Sequence, residues 1–315
     1  EAAGINIMEN ETQHILVTGA TGFVGRSLLR LLEGGKPGAI TAASRTPEDL
    51  PSFVTPFPIA ELNQKTDWSP ALGNITDVVH LAARVHVMND DSGDPIAEFR
   101  RSNTVGTLDL AEQAAEAGVR RFLFMSSIKV NGEFSAPGSP FTADDLPCLA
   151  DPYGLSKAEA EAGLREIGAR TGMEVVIIRP PLVYGPGVTA NFATMMRWLN
   201  RGIPLPLGMT GNRRSLVAVD NLVDLITTCL DHPAAANQTF LVSDGEDVST
   251  TTLLRRMGRA LGKPARLIPL PPALMKGAAT LCGRQDLYQR LFGSLQLDIS
   301  KTHDLLDWTP PVSLD

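Results

Sequence analysis

Tyr153 and Lys157 are the residues of this sequence whose types and spacing most directly suggest chemistry. They lie four residues apart in Asp151-Pro-Tyr-Gly-Leu-Ser-Lys157, a stretch typical of a helix start, so one helical turn would place both side chains on one face. A phenol, with a pKa of about 10, exchanges protons poorly at neutral pH, and a nearby positive charge favours its phenolate. The pair therefore predicts proton transfer at a carbinol oxygen while hydride moves elsewhere. A solvated helix face is the alternative, because this spacing also arises by chance.

The composition narrows the class of protein that could carry this chemistry. The chain has 315 residues, is 43% hydrophobic and 20% charged, and carries a net charge of −7 without any long block of one sign. This is typical of a globular α/β protein and predicts no nucleic-acid partner. Three scattered cysteines, Cys148, Cys229 and Cys282, predict a reducing compartment and neither a disulfide framework nor a metal site.

No apolar run in the sequence reaches the roughly 20 residues that a membrane-spanning helix needs. The best candidate, Leu267 to Cys282, is interrupted by Lys276 and by three prolines. We therefore predict a cytoplasmic protein without a membrane partner. Residues 1–7 precede Met8, and we interpret them as a remnant that lies outside the natural chain.

A glycine-rich turn follows the first predicted strand, His14 to Thr18, and leads into an apolar helix. Gly19 would allow a tight turn, Gly22 would let the backbone approach a pyrophosphate, and Gly25 would let the helix pack closely on the strand. The helix N-terminus would then offer N–H groups to the anion. The alternative is a turn with a structural role only. The cofactor-binding residues predicted here are Gly19, Thr21, Gly22, Phe23, Val24 and Gly25.

The end of the second predicted strand bears on the choice of cofactor. An NAD-selective site usually has an acidic residue here, to bind the ribose 2′-hydroxyl group. This chain has Ser44 and Arg45, which suit a 2′-phosphate, so we favour NADP(H) over NAD(H). The alternative is that Arg45 points to solvent.

Predicted strands and helices alternate as far as residue 179. Further strands are predicted at 57–60, 77–83, 121–126 and 174–179, with helices at about 95–117 and 153–171. This order predicts an α/β fold with a doubly wound parallel (Rossmann) sheet. Glycine and proline punctuate the chain beyond residue 180. We therefore predict an NAD(P)-binding domain at 8–180, and at 181–315 a smaller C-terminal substrate-binding lobe with returns to the sheet.

Five motifs stand in one order and together carry a family resemblance. They are the glycine turn, His80-Leu-Ala-Ala83, Asn103 in Asn-Thr-Val-Gly-Thr, Ser126-Ser127, and Tyr153 with Lys157. From about residue 14 to 312 the chain resembles the extended short-chain dehydrogenase/reductases, the NAD-dependent epimerase/dehydratase family. That family includes nucleotide-sugar epimerases, dehydratases and 4-ketoreductases, so the resemblance implies an NAD(P)-dependent enzyme with a UDP-sugar substrate and a homodimer.

The resemblance also implies roles for single residues. Ser127 matches the residue that hydrogen-bonds the substrate oxygen, Tyr153 the acid/base, and Lys157 the residue that holds the nicotinamide ribose and lowers the tyrosine pKa. Asn103 matches an asparagine that supports the active site. Further expected cofactor contacts are Leu81, Ala82, Ala83 and Pro180. Expected substrate contacts are Lys129, Tyr184, Asn191 and Arg214, with Arg213 as the alternative to Arg214.

One departure from the family pattern reduces the number of reactions to be expected. Sugar-nucleotide dehydratases carry an Asp-Glu pair directly after the catalytic serine or threonine, where this chain has Ile128 and Lys129, so dehydration is not expected. The stretch from Ser126 to Glu133 looks most like bacterial UDP-sugar 4-ketoreductases of the UDP-N-acetylquinovosamine type. Epimerases commonly have Tyr-Gly where this chain has Asn131-Gly132.

The predicted function is therefore reduction of the 4-keto group of a UDP-4-keto-6-deoxy-N-acetylhexosamine in surface polysaccharide biosynthesis. A UDP-glucose or UDP-N-acetylglucosamine 4-epimerase is the alternative. A cofactor-sensing scaffold without catalysis and a reductase of small ketones are further alternatives.

Overall fold

The computed structural model describes residues 13–35, 38–85, 94–148, 151–188 and 190–314, with backbone only for Pro95, Ala190 and Asn191. Residues 1–7 lie outside these ranges. Ten strands are present in this part of the chain: β1 Ile15–Thr18, β2 Ile40–Ser44, β3 Thr55–Pro58, β4 Asp77–His80, β5 Arg121–Met125, β6 Glu174–Arg179, β7 Leu182–Tyr184, β8 Arg214–Ala218, β9 Thr239–Leu241 and β10 Asp247–Val248.

Eleven α-helices lie in the same described ranges, and none is long and apolar enough to span a membrane. They are α1 Phe23–Gly34, α2 Ser69–Leu72, α3 Pro95–Phe99, α4 Gly106–Glu116, α5 Pro152–Thr171, α6 Ala190–Asn200, α7 Val219–Asp231, α8 Thr250–Ala260, α9 Pro272–Leu281, α10 Gln285–Phe292 and α11 Ser300–Leu306.

Seven strands form one parallel sheet in the order β3-β2-β1-β4-β5-β6-β9. The strand order reverses direction between β1 and β4, which is where ligands bind in open α/β sheets. The predicted doubly wound parallel sheet is confirmed.

Both faces of this sheet are apolar because successive strand residues point to opposite sides. In β1, Ile15 and Val17 pack in a cluster with residues of α1 and α7, whereas Leu16 packs in a second cluster with residues of α4 and α5. Helices thus cover both faces of the sheet except at the exposed edge strand β3, and the carboxyl edge carries the polar groups described below.

Several predicted boundaries differ from the structure. The third strand runs from Thr55 to Pro58 instead of 57–60, and the fourth ends at His80 instead of residue 83. The helix predicted at 95–117 contains a π-helical segment, Arg100–Val105, between α3 and α4. Such segments hold an extra residue in the turn and are frequent at functional sites. The apolar period alone did not indicate it.

Beyond residue 180 the chain builds a second, three-stranded sheet in the order β10-β8-β7, with β7 parallel and β10 antiparallel to β8. A separate apolar cluster packs here, with Leu199, Leu216 and Leu254 at its centre. Between these elements α7 covers the large sheet and β9 joins its edge beside β6. The boundary at residue 180 and the homodimer through the helices at 95–117 and 153–171 stay predictions.

Candidate active site

The glycine turn after β1 is shaped by close approaches of backbone to backbone. Gly19 has φ +68°, and a Cβ there would lie 2.7 Å from the Ala82 nitrogen. A Cβ on Gly25 would overlap the Gly19 carbonyl oxygen. Gly22 donates its N–H to that oxygen at 3.0 Å and is the N-cap of α1, whose first turn, Phe23 to Gly25, has no acidic residue. The turn therefore fits the phosphates of a dinucleotide.

The segment after β4 is fastened to the segment after β1. The Thr18 hydroxyl lies 2.8 Å from Nδ1 of His80 and accepts the Ala82 N–H at 3.2 Å. Complete burial lowers the pKa of His80 to about 3, so this histidine is a neutral structural group. The hydrogen bonds hold Leu81, Ala82 and Ala83 beside the glycine turn, where the sequence predicts cofactor contacts.

Ser44 and Arg45 lie at the carboxyl end of β2, beside the glycine turn. The Ser44 hydroxyl is buried, lies 3.3 Å from the Thr21 hydroxyl and accepts the Thr46 N–H at 3.0 Å. Arg45 is exposed. The Ser44 hydroxyl thus closes its own turn, and this arrangement gives no preference for NADP over NAD.

The start of α5 is fastened to the loop that carries Ser127. Asp151 is the N-cap and accepts the Gly154 N–H at 2.9 Å, and its carboxylate also binds the Lys129 ammonium at 3.2 Å. A Cβ on Gly154 would lie 2.7 Å from the Lys129 carbonyl oxygen. The structure therefore brings the loop of Ser127 and the first turn of Tyr153 together. It uses Lys129 as part of that junction.

Lys157 is buried one turn after Tyr153. Its ammonium donates a hydrogen bond to the Met125 carbonyl oxygen at 2.8 Å and lies 4.4 Å from the centre of the Phe124 ring. Burial lowers the pKa of Lys157 to about 7, against the opposing effect of the Glu161 carboxylate. Lys157 can therefore gain or lose its proton near neutral pH.

Tyr153 is partly buried, with the edge of its ring on Phe99. Burial, with a smaller effect of the Asp151 carboxylate, raises the pKa of Tyr153 to about 12. The expectation that Lys157 lowers this pKa is therefore wrong for this structure. The phenol is held in its protonated form, which can donate a proton to a developing alkoxide.

Ser127 and Asn103 occupy different kinds of position. Ser127 is partly exposed and caps the short helical turn Ile128–Val130, accepting the Lys129 N–H at 3.3 Å. Ile128 in turn donates its N–H to the Pro180 carbonyl oxygen at 3.0 Å. Ser127 therefore sits at a fixed backbone position with surface left for a ligand.

Asn103 is completely buried in the π-helical segment. Its amide accepts the Arg84 N–H at 2.8 Å, donates to the Arg84 carbonyl oxygen at 3.0 Å, and donates to the Ser156 hydroxyl at 3.1 Å. The side chain ties the segment after β4 to α5. It supports the site through these contacts.

A buried ion pair behind the site was missed in the sequence. Arg179, at the end of β6, donates to both carboxylate oxygens of Glu161 at 2.9 and 2.6 Å, and each residue is less than 5% exposed. Glu161 also accepts the Ser126 hydroxyl at 2.5 Å, and Arg179 donates to the Asn131 amide oxygen at 2.9 Å. The available signal was the position of Glu161, one turn after Lys157.

The remaining predicted substrate contacts lie on the small sheet. Tyr184 ends β7, donates its hydroxyl to Asp244 at 2.7 Å and stacks on Phe192. Burial and the Asp244 carboxylate raise its pKa. The side chain of Asn191 lies outside the described residues. The Tyr184 hydroxyl is thus engaged within the protein, and Tyr184 and Arg214 stand at opposite ends of their paired strands, roughly 13 Å apart along the strand direction.

Arg214 begins β8 and contacts the C-terminal end of α10. Its guanidinium donates to the carbonyl oxygens of Arg290 and Gly293 at 3.3 and 3.1 Å, and burial lowers its pKa. The next residue, Ser294, accepts the Ser135 N–H at 2.9 Å, a few residues after Ser127. Within the described ranges, no group of three or more His, Cys, Asp or Glu could hold a metal ion.

Comparison with known proteins relates this arrangement to enzymes of known class. The NAD dependent epimerase/dehydratase family model matches residues 15–243. A Vibrio cholerae protein named UDP-glucose 4-epimerase is 50% identical over 95% of this chain and 92% of its own length. A GDP-6-deoxy-D-mannose reductase of Pseudomonas aeruginosa is 26% identical over 96% of this chain and 94% of its length. The structure of MoeE5 in complex with UDP-glucuronic acid and NAD has a TM-score of 0.75, 25% identity, and covers 96% of this chain and 95% of that one.

Proposed function

This chain belongs to the NAD dependent epimerase/dehydratase family, and on that premise we propose that it is a 4-epimerase of UDP-hexoses. The 50% identity to the Vibrio cholerae protein named UDP-glucose 4-epimerase, over nearly the whole chain, carries the proposal. It gives more support to the epimerase than to the 4-ketoreductase that the sequence motifs favoured.

The contacts of Asn131 weaken one argument for the reductase. That argument is that epimerases commonly have Tyr-Gly where this chain has Asn131-Gly132. In the structure the Asn131 amide accepts from Arg179 at 2.9 Å and donates to the Thr142 carbonyl oxygen at 2.8 Å. Asn131 is therefore a structural part of the buried ion-pair network, and its identity gives no information about the fate of the sugar.

In this proposal the glycine turn, the Leu81–Ala83 segment and Lys157 hold a nicotinamide dinucleotide. The family uses such cofactors, and NAD is the form bound to MoeE5. A nicotinamide dinucleotide held there would supply the reversible hydride transfer at C4 of the sugar. Gly19 and Gly25 keep the backbone open to the pyrophosphate, and the Lys157 ammonium reaches the carbonyl oxygen of Met125 at the end of β5.

The chain's own side chains handle the proton. Tyr153 acts as the phenolate in the first half of the reaction. Lys157, one helical turn away and with a pKa of about 7, accepts the phenol proton in its neutral form near neutral pH. The phenolate then takes the proton of the C4 hydroxyl as hydride leaves C4, and gives it back after the keto sugar has turned. The Ser127 hydroxyl donates a hydrogen bond to the C4 oxygen. In this proposal Arg214 binds the diphosphate of the substrate.

A 4-ketoreductase is the second candidate, and the likeness to the Pseudomonas aeruginosa GDP-6-deoxy-D-mannose reductase, 26% identical over 96% of this chain, is the observation that favours it. Unlike an epimerase, a reductase consumes its reduced nicotinamide cofactor. It would use Ser127, Tyr153 and Lys157 in the same roles, with Tyr153 giving its proton to the reduced 4-keto oxygen.

The test is to incubate the purified protein with UDP-glucose, and then with UDP-N-acetylglucosamine, with and without added NAD. We expect an equilibrium mixture of the C4 epimers without net change in the oxidation state of the cofactor. Consumption of NADPH with a UDP-4-keto-6-deoxy-N-acetylhexosamine, and no epimerisation, would replace this proposal with the reductase.

The Tyr153→Phe variant tests the role of the phenol in either reaction. We expect turnover to fall by about 10²–10⁴-fold, with NAD binding preserved in a thermal-shift measurement, because only proton transfer is lost. Arg120→Lys, a conservative change far from the site at the start of β5, serves as the control. Near-normal turnover of Tyr153→Phe would remove Tyr153 from the mechanism.

A further inference from the structure

Helices α9 and α10 form a hairpin that buries none of its residues in the chain. Leu281, at the end of α9, is 90% exposed and Leu274 is 64% exposed. Helix α9 lies within Leu267 to Cys282, the best apolar run of the sequence. Its contacts within the chain leave the outer surface of α9 without a covering element among the described residues.

Most residues of α9 are exposed, and four of the uncharged ones form a stripe along one face. Leu274, Gly277, Ala278 and Leu281 are spaced three and four residues apart, so they lie on one face of the helix, and all four are exposed. Met275 and Ala279, which are partly buried, mark the opposite, inward face. Leu287 on α10 and Ile268 before α9 are 49% and 45% exposed and extend the apolar surface.

The segment of sequence that contains the hairpin differs in charge from the rest of the chain, and three of its basic residues, Lys276, Arg284 and Arg290, belong to the hairpin itself. Between Thr250 and Phe292 there are eight basic residues and one acidic residue, a net charge of +7, whereas the whole chain carries −7. The basic residues are Arg255, Arg256, Arg259, Lys263, Arg266, Lys276, Arg284 and Arg290. Lys276 lies on α9 itself, and Arg284 lies at the tip of the hairpin beside Leu281.

This combination limits what can cover the stripe. A second copy docked face to face would bring two basic segments together, because a two-fold interface pairs each surface with itself. An anionic lipid surface offers both an apolar interior and negative headgroups, which match Leu274 and Leu281 and the basic residues around them. No helix in the described ranges can span a membrane, so the contact would be confined to the surface.

We propose that the α9–α10 hairpin docks this chain on an anionic membrane surface. The stripe of Leu274, Gly277, Ala278 and Leu281 enters the boundary between headgroups and acyl chains. Arg284, three residues after Leu281, keeps its charge at the headgroups, and Lys276, on the other side of α9, adds to the positive charge of the hairpin. The proposal does not depend on the reaction that the enzyme catalyses.

The hairpin is also continuous with the candidate active site. The Arg214 guanidinium binds the carbonyl oxygens of Arg290 and Gly293, at the C-terminal end of α10. Docking through α9 would therefore hold the Arg214 side of the molecule close to the membrane.

The experiment is co-sedimentation of the full chain with vesicles of phosphatidylcholine and phosphatidylglycerol in equal parts, and with vesicles of phosphatidylcholine alone. We expect at least fivefold more protein with the anionic vesicles at low salt, and loss of that difference at high salt because the headgroup attraction is screened. Absence of binding to the anionic vesicles at low salt would overturn the proposal.

Two pairs of variants identify the surface involved. Leu274→Glu with Leu281→Glu should abolish binding, whereas Leu146→Glu, at a leucine that is 88% exposed in another loop, should not. Lys276→Glu with Arg284→Glu should weaken binding by about tenfold or more, and Arg30→Glu with Lys65→Glu, exposed elsewhere, should not reach that loss. Equal losses in the hairpin variants and their controls would contradict the proposal.

Light scattering in the absence of vesicles examines the competing occupants. A dimer that Leu281→Glu dissociates, without vesicle binding, would assign the stripe to a second copy. Binding of an acidic polypeptide such as poly-glutamate, with no binding to anionic vesicles, would assign the basic residues to a protein partner. Either result would overturn the membrane proposal.

Discussion

Helices α5 and α9 differ in which side chains they bury, and the difference is the reverse of what their amino-acid compositions suggest. Helix α5 buries charged side chains, among them Lys157 and Glu161, each about 1% exposed. Helix α9 is almost entirely apolar and exposes Leu274 and Leu281. The buried charges have partners within the chain, and the exposed leucines have none among the described residues. In these two helices, whether a side chain is buried therefore depends more on its having a partner in the chain than on its polarity.

The partners of α5 come from several strands. Glu161 accepts hydrogen bonds from Arg179 of β6 and from the Ser126 hydroxyl after β5. Lys157 donates one to the Met125 carbonyl oxygen of β5. A charge moved out of water loses several kcal/mol of hydration, and an opposite charge with good hydrogen bonds can offset that loss. The charged side chains of α5 thus have all these partners within the chain, whereas we infer that the outer face of α9 is covered by a membrane surface.

The largest expected effect comes from breaking the buried pair. Glu161→Gln leaves the Arg179 guanidinium buried without a counter-charge, so the free energy of unfolding should fall by about 3–5 kcal/mol in urea titrations. Glu159→Gln is the matched control on the same helix, because Glu159 pairs with Arg100 near the surface and should cost less than about 1 kcal/mol. Similar losses in both variants would show that the buried ion pair contributes no more to the free energy of unfolding than the exposed pair does.

The pH dependence of stability should report the buried Lys157. Its pKa is about 7 in the folded protein and about 10.5 in the unfolded chain, so between these values the unfolded chain binds more protons. The cost of burying the charge is therefore fully present below pH 7 and declines as the pH rises. We expect stability to increase by about 1 kcal/mol per pH unit above pH 8, relative to Lys157→Met.

The control for this experiment is Lys65→Met, at an exposed position, which should follow the pH profile of the original protein. Parallel profiles for the original protein and Lys157→Met would mean that Lys157 keeps an ordinary pKa when buried. The proposed role of Lys157 in proton exchange near neutral pH would then lose its basis.

The smallest expected effect belongs to α9. Leu281→Ala should change the free energy of unfolding by less than about 0.5 kcal/mol, because almost no contact within the chain is removed. Leu164→Ala, at a completely buried position of α5, should cost about 2–5 kcal/mol. A large loss of stability for Leu281→Ala in thermal or urea unfolding would show that Leu281 packs against the chain. The difference between α5 and α9 would then disappear.

Local patterns carried most of the successful predictions. A strand followed by Gly19, Gly22 and Gly25 depends on neighbouring residues only, and so does the spacing of Tyr153 and Lys157 within one helical turn. The parallel sheet followed from the alternation of apolar runs and helical segments. These features need no knowledge of distant contacts, and the structure places the predicted residues of both motifs at the carboxyl edge of the sheet.

The features that the sequence did not predict depend on contacts across the fold. Glu161 and Arg179 meet only because β6 lies under α5, and the Tyr184 hydroxyl is engaged only because Asp244 reaches it from another segment. The raised pKa of Tyr153 has the same origin, because its largest cause is burial by neighbouring elements. Residue types at fixed spacing show which groups are available, whereas their environment depends on tertiary packing.

The position of β9 has a consequence for how the protein acquires its fold during synthesis. The last strand of the large sheet, Thr239–Leu241, pairs with β6 only after the chain has passed through most of the small sheet. Until then a nascent chain would present the open edge of β6 and the sheet face that α7 later covers. We expect the domain to become protease-resistant only when Leu241 has left the ribosome, so a fragment ending near residue 180 should aggregate.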